Sequence, residues 1–403
     1  RSLKVSTGHK LYTHTHTKKI TIYTHTQSER TSTKYILRKT NNIRPWIRAS
    51  TSSSSSSSQT SYFYPPQPPH PSNRTAIFAF GDSIFDSGNN NRLSTIFRSD
   101  HPPYGIDFPG RTPSGRFSDG KLATDFLVSQ LGIKELLPAY LDPSLTDRDL
   151  LTGVSFASAG TGLDDLTATE ANVLTLNAQL RNFMQALQRM RSLAGPEETD
   201  RIVENALFMV AAGTNDMLNN FYGLPLRRTY SLSGYQDLLL QNLENVIRTL
   251  HSMGARRMAV VGLPPIGCMP VSVTLGSLLP SFHMLQRLCV DQQNSDSEAY
   301  NAKLKALTSR LQASLAGSRV VYVDVYTPMM DMVISPAAFG LERTIEGCCG
   351  LGSVEMGPLC NSLTPTCPDP SKYLFWDAAH PTQATYMFLA NKFRQELLPS
   401  LLV

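Results

Sequence analysis

Thr75-Ala76-Ile77-Phe78-Ala79-Phe80-Gly81-Asp82-Ser83 decides the fold: a short β-prone apolar run ends abruptly in Gly-Asp-Ser. Similar runs recur at Gly153 to Phe156, Leu207 to Val210, Arg257 to Val261 and Val320 to Val325. Between them lie longer amphipathic stretches, Leu122 to Leu131, Leu176 to Met190, Tyr235 to Met253 and Asn294 to Leu315, with Thr382 to Leu398 after the last run. The short runs read as five buried strands and the long stretches as helices. Strands alternating with helices imply an α/β fold, a mainly parallel sheet covered on both faces, with ligands beyond the carboxyl ends of its strands.

Outward from that core, the charge is uneven. The 403 residues carry a formal net charge of +5, but residues 1–75 hold 12 of the 37 Lys and Arg and one acid, Glu29. The remaining 328 residues carry 25 bases against 31 acids, a net of −6. A nucleic-acid partner needs basic residues gathered on the folded part, so that class is excluded. No uninterrupted apolar run reaches the roughly 18 residues that a membrane-spanning helix needs. Neither an internal repeat nor a linker interrupts the body, so residues 75–403 are expected to form one domain behind a low-complexity leader, residues 1–74.

That leader alternates Thr and His over Thr13 to Thr17 and again over Thr24 to Thr26, then runs through Ser-rich and Pro-rich tracts. Such composition buries nothing and is expected to be disordered. A basic, acid-poor, Ser/Thr-rich leader has the composition of an organelle transit peptide, which would place the protein in a plastid. Alternating Thr-His is also what a translated dinucleotide repeat encodes, and the first Met is Met184, so a translation artefact is the preferred reading.

Ser83 stands where an apolar strand meets a Gly/Asn-rich turn, Asp86-Ser87-Gly88-Asn89-Asn90. A lone Ser there is usually a turn residue or a cap. No G-x-S-x-G occurs, which argues against the nucleophile elbow of the α/β-hydrolases. A Ser nucleophile needs a base, and the body offers His101, His251, His283 and His380. Only His380 has an acid at an orienting distance, in Trp376-Asp377-Ala378-Ala379-His380-Pro381. Pro381 disfavours the α region for His380 and suits the first position of a helix, so Asp377 can reach Nδ1 and leave Nε2 for a hydroxyl. Gly213-Thr214-Asn215-Asp216 follows the third strand and offers the Asn215 amide as an oxyanion donor. Ser158-Ala159-Gly160-Thr161-Gly162 follows the second and offers a backbone N–H. As a phosphate loop this last segment fails, because Asp164 and Asp165 stand where a third Gly and a phosphate would be.

Six cysteines, Cys268, Cys289, Cys348, Cys349, Cys360 and Cys367, lie in Gly/Pro-rich contexts of the second half. Pairing Cys268 with Cys289 and the other four among themselves is the expected arrangement; adjacent Cys348 and Cys349 lack the spacing of structural zinc hairpins. Disulfides imply an oxidising compartment. A glycosylation sequon, Asn73-Arg74-Thr75, precedes the first strand.

These blocks, in this order and each at a strand end, resemble the GDSL-type lipase/esterase family of the SGNH hydrolases, in its plant branch. The resemblance spans nearly all of residues 75–398 and includes Leu263-Pro264-Pro265-Ile266-Gly267-Cys268, Gly347-Cys348-Cys349-Gly350 and Phe375-Trp376-Asp377-x-x-His380-Pro381-Thr382. It implies a three-layer α/β/α sandwich about a five-stranded sheet, the flavodoxin-like SGNH hydrolase fold. It further implies Ser83 as nucleophile, His380 as general base and then acid, Asp377 as its orienting partner, and oxyanion donors from Ser83, Gly160 and Asn215. The activity implied is hydrolysis of an acyl ester, lipid, cell-wall or metabolite, through an acyl-enzyme without metal or cofactor. An acyltransferase built on the same residues, or a scaffold that binds without turnover, are the alternatives. Two departures are local: Ile84 replaces the motif Leu, a volume-conserving change, and Ser155 stands where the family commonly has Asn. Members normally begin with an apolar secretion signal that is not visible here, so the secreted expectation rests on the cysteines and the family habit.

Overall fold

Four strands, β1 (Ile77–Gly81), β2 (Leu207–Ala211), β3 (Arg257–Val261) and β4 (Arg319–Val323), pair in parallel in the order β1-β2-β3-β4. Ile77 pairs with Leu207, Leu207 with Arg257 and Arg257 with Arg319, so all four strands start level and their carboxyl ends share one edge. The structure, a computed structural model, describes residues 76–227, 229–278 and 287–402, which lie in one unit, Pro68–Val403.

The expected strand at Gly153 to Phe156 is a bridged segment rather than a regular strand, paired in parallel with Ala79 on one side and Ala139 on the other through Ser155 alone. It still donates and accepts along β1: Ala79 N–H reaches the Val154 carbonyl at 3.2 Å and Phe156 N–H the Ala79 carbonyl at 2.8 Å. What shortens it is Gly153, at φ 103°, where a Cβ would stand 2.0 Å from the Ile77 carbonyl oxygen, so the chain turns sharply as it reaches the sheet. With this segment outside β1, the chain reverses its direction of travel across the sheet between β1 and β2. Such a switch point opens a crevice at the carboxyl ends of the strands.

Alternation in the strands divides the core into two layers. Phe78, Phe80, Phe208, Val210, Met258 and Val260 face one side, under the helices Leu176–Ala194, Leu232–Ser252 and Asp291–Ser314. Ile77, Ala79, Leu207, Met209, Ala259 and Val261 face the other, under Ala123–Gln130 and Gln383–Glu396. The first layer is aromatic: Phe80 stacks on Phe156 at 5.1 Å and meets Phe183 edge-on at 5.7 Å. Burying each such ring stabilises the fold by about 2 to 3 kcal/mol before ordering costs.

A second, two-stranded parallel sheet, β5 (Arg343–Gly347) with β6 (Tyr373–Phe375), has no counterpart in the sequence reading. Arg-Thr-Ile-Glu-Gly offers no apolar run, and three residues are too few to show a period. The sheet matters because Trp376 and Asp377 follow β6 directly. Disulfides Cys348–Cys367 and Cys349–Cys360 span the connection between its strands, and Cys268–Cys289 closes a third loop.

Candidate active site

β1 ends at Gly81, whose φ of 125° and closeness to β2 leave no room for a side chain: a Cβ would lie 1.8 Å from the Ala211 carbonyl oxygen. The Gln179 side chain clamps this glycine, accepting from its N–H and donating to its carbonyl, both at 2.8 Å. Asp82 N–H then bonds the Ala211 carbonyl at 3.0 Å, and the next residues curl back, Asp86 N–H onto the Asp82 carbonyl at 3.1 Å. Ser83 is held on this first turn beyond the sheet, buried but opening into the crevice.

The Ser83 hydroxyl lies 2.8 Å from His380 Nε2. His380 Nδ1 lies 2.8 and 2.9 Å from the two oxygens of Asp377. A proton on Nδ1 donated to that carboxylate leaves Nε2 as acceptor for the hydroxyl, which is the tautomer that proton removal requires. Asp377 is fully buried. Its Oδ1 accepts the N–H groups of Ala379 and His380 at 2.9 and 2.7 Å, and its Oδ2 accepts the Tyr104 hydroxyl at 2.7 Å. The turn carrying the pair is closed by Trp376 N–H on the His380 carbonyl at 2.7 Å, and the Phe117 ring packs on the imidazole at 4.6 Å.

The Gly/Asn-rich turn positions the neighbouring loop. Asp86 accepts from the N–H groups of Gly88 and Asn89 and, through Oδ2, from Ala159 at 2.9 Å. Asn89 donates to the carbonyls of Ser155 and Ala157, and Asn90 to that of Ala159. Gly160, at φ 89°, follows immediately and lines the crevice. Gly162 does not: a Cβ there would stand 2.3 Å from Asp216 Oδ1, so its bareness serves packing. Asn215 donates from Nδ2 to the Thr161 carbonyl at 3.0 Å and lines the same space, with its second amide hydrogen available.

Burial pushes the Asp82 and Asp216 carboxyls up to about 7, against backbone donation from Ile84 to Asp82 and against the Thr167 hydroxyl and two N–H groups at Asp216. Asp86 and Asp119 are pushed up to about 6 for the same reason. Ser83, Gly160, Asn215 and His380 open into one cavity of about 600 Å³. Its wall is mostly apolar, with Leu218, Met269, Leu275, Met329, Met356 and Leu389 prominent, and among the described residues it contains no Lys, Arg or Glu.

Residues 77–393 match the family model described as GDSL-like Lipase/Acylhydrolase. The chain belongs to this GDSL lipase/acylhydrolase family. The Arabidopsis thaliana GDSL esterase/lipase At2g40250 is 52% identical over 327 residues, covering 81% of this chain and 91% of its own. Two others from that plant, At1g06990 and At2g24560, are 43% and 44% identical, each covering 78% of this chain and 87% and 86% of their own. Like the family, this GDSL protein is a carboxylic ester hydrolase. No helix among its described residues is long and apolar enough to cross a membrane.

Of the other histidines in this GDSL hydrolase, His101 packs edge-on against Tyr104 at 5.4 Å, and His251 lies in the helix Leu232–Ser252. Neither lines the cavity. His283 and the sequon Asn73 lie outside the described residues. Tyr104, Phe117 and Gln179 escaped the sequence reading. Tyr104 meets Asp377 across 273 residues, and nothing local in a loop sequence marks a contact of that kind.

Proposed function

We propose that this hydrolase cleaves esters of medium to long acyl chains through an acyl-enzyme on Ser83. His380 Nε2 takes the hydroxyl proton as Oγ attacks the ester carbonyl, and the carbonyl π electrons move onto oxygen. The N–H groups of Ser83 and Gly160 and the Asn215 amide donate to that oxyanion. Collapse of the tetrahedral intermediate expels the alkoxide, which regains a proton from the imidazolium. Water, deprotonated by the same Nε2, then attacks the acyl-Ser83, and the proton returns to Oγ as the carboxylic acid leaves. Asp377 keeps the imidazole in the productive tautomer throughout.

The observation that carries the reading is the 2.8 Å contact from Ser83 Oγ to His380 Nε2 at a largely apolar cavity of about 600 Å³. A space of that size and polarity suits an acyl chain rather than an acetyl group alone. Each methylene buried there contributes about 0.8 kcal/mol, about fourfold in kcat/KM until the cavity is full. Three disulfides fit an oxidising compartment, and we infer secretion on that ground.

The test is hydrolysis of p-nitrophenyl esters from acetyl to palmitoyl, beside Ser83→Ala. Turnover is expected to fall by about 10⁴-fold or more in the variant. Equal rates in the two proteins overturn the mechanism; a flat dependence on chain length overturns the substrate class and leaves the mechanism standing.

A further inference from the structure

We propose that the rim of the cavity is a docking surface for a neutral lipid–water interface, from which the enzyme draws its ester substrate; this deepens, and rests on, the acyl-ester reading above. Four cavity-lining side chains, Ile96, Leu275, Val354 and Leu359, are also between 39% and 71% exposed, so the apolar lining continues outward onto the surface. They form one arc across three segments. The Thr274 hydroxyl donates to the Ser353 carbonyl at 3.1 Å, joining the helix Pro270–Ser277 to the loop that carries Val354 and Leu359. Cys349–Cys360 closes that loop, and a Cβ on its Gly357 would lie 3.6 Å from the Ile96 carbonyl oxygen. Farther out on the same segments, Leu278, Leu351 and Leu363 are 66% to 93% exposed and do not line the cavity.

Charge is sparse on two of its three segments. Residues 270–278 contain no charged side chain, and residues 350–368 contain one, Glu355. Its carboxylate is turned into the loop, accepting the N–H groups of Leu351, Ser353 and Val354. Of the described cations beside these segments, Arg98 pairs with Asp100 and Arg287 donates to the carbonyls of Ile345 and Gly352, which leaves the exposed Arg92, four residues before Ile96, as a single free charge rather than a cluster. An exposed apolar patch of this continuity marks an interaction site, and without a basic cluster its partner is an uncharged surface rather than an anionic one. The cavity opens along this arc, since its four side chains both line the cavity and reach the surface. A protein or a second copy seated there would close the entry to Ser83, whereas a lipid surface delivers an ester to it.

The experiment uses the full chain carrying Ser83→Ala, so that binding is read without hydrolysis, and phosphatidylcholine vesicles in a sedimentation assay. The bound fraction is expected to fall by about tenfold when Leu278→Ser, Leu351→Ser and Leu363→Ser are added. In the active enzyme the same three substitutions are expected to leave the rate on dissolved p-nitrophenyl butyrate within about twofold, since none lines the cavity. No binding to the vesicles, equal binding by the substituted protein, or binding only to phosphatidylglycerol vesicles that salt abolishes would each overturn the docking surface. Loss of dissolved-ester hydrolysis in the unsubstituted enzyme would instead overturn the acyl-ester reading.

Discussion

Asp82 stands next to Ser83 with its carboxyl pushed up to about 7, chiefly by burial, while the Ile84 N–H and the nearby His380 resist the shift. In the unfolded chain the same group titrates near 3.8. The folded state therefore holds the proton over a range in which the unfolded state has lost it. Stability from this group is complete below about pH 4 and is lost as pH rises to about 7; Asp86, Asp119 and Asp216 act in the same direction. Asp82→Asn keeps an acceptor for Ile84 and removes the titration. Denaturant unfolding at pH 5 and pH 8 should show a smaller loss in the variant than in the native protein, by up to about 2.5 kcal/mol. An unchanged difference between the two pH values would show that the proton resides elsewhere. Tyr104 is a positioning residue of another kind, with its hydroxyl between Asp377 and the Gly357 N–H, 2.7 Å from each. Tyr104→Phe removes the donor to Asp377 and leaves the Gly357 N–H unpaired, at a cost of about 1 to 2 kcal/mol. Steady-state kinetics should show kcat lowered about tenfold with KM within about twofold, because the imidazole is held less firmly while the cavity keeps its shape; a change confined to KM would contradict that role.

At the scale of elements, the main sheet is legible because its strands are apolar on both faces, as Phe78 and Phe80 alternate with Ile77 and Ala79. The Asp377–His380 pair is legible because it is local, three residues within one turn. What the sequence hides is supplied by elements without a period: β5 and β6, the bridged segment at Ser155, and the disulfide loops that bring distant segments to one wall. Cysteine count and spacing point to bridges, but the nesting of Cys349–Cys360 inside Cys348–Cys367 emerges only with the second sheet in place. The inner loop carries Val354, Met356 and Leu359, all of which line the cavity. Cys349→Ser with Cys360→Ser should lower stability by about 2 to 4 kcal/mol through the freed loop. The same variant should bring kcat/KM for dodecanoyl and acetyl esters closer together, since the wall that grips the longer chain is loosened. Far-UV circular dichroism should be unaltered because the main sheet contains no cysteine; retained discrimination between the two esters would mean that the loop does not shape the acyl site.

For the whole molecule, the described residues that form the site all lie beyond residue 75. β1 begins at Ile77, where the family match also begins, and every described residue lining the cavity lies at Asp82 or beyond. The leader instead dominates the charge, and removing residues 1–67 changes the formal net charge from +5 to −5. If residues 75–403 form the catalytic domain, that truncation should leave the melting temperature within about 2 °C. Its kcat/KM on dissolved p-nitrophenyl esters should remain within about twofold of the full chain. Charge-dependent behaviour should separate the two proteins: at pH 8 the truncated chain should be retained on an anion exchanger and the full chain should pass through. A lower melting temperature or lost turnover in the truncated protein would assign the leader a part in the fold that the sheet and cavity do not require. Unchanged stability with weaker binding to phosphatidylcholine vesicles would place its contribution at the lipid surface, since dissolved-ester turnover reads the cavity alone.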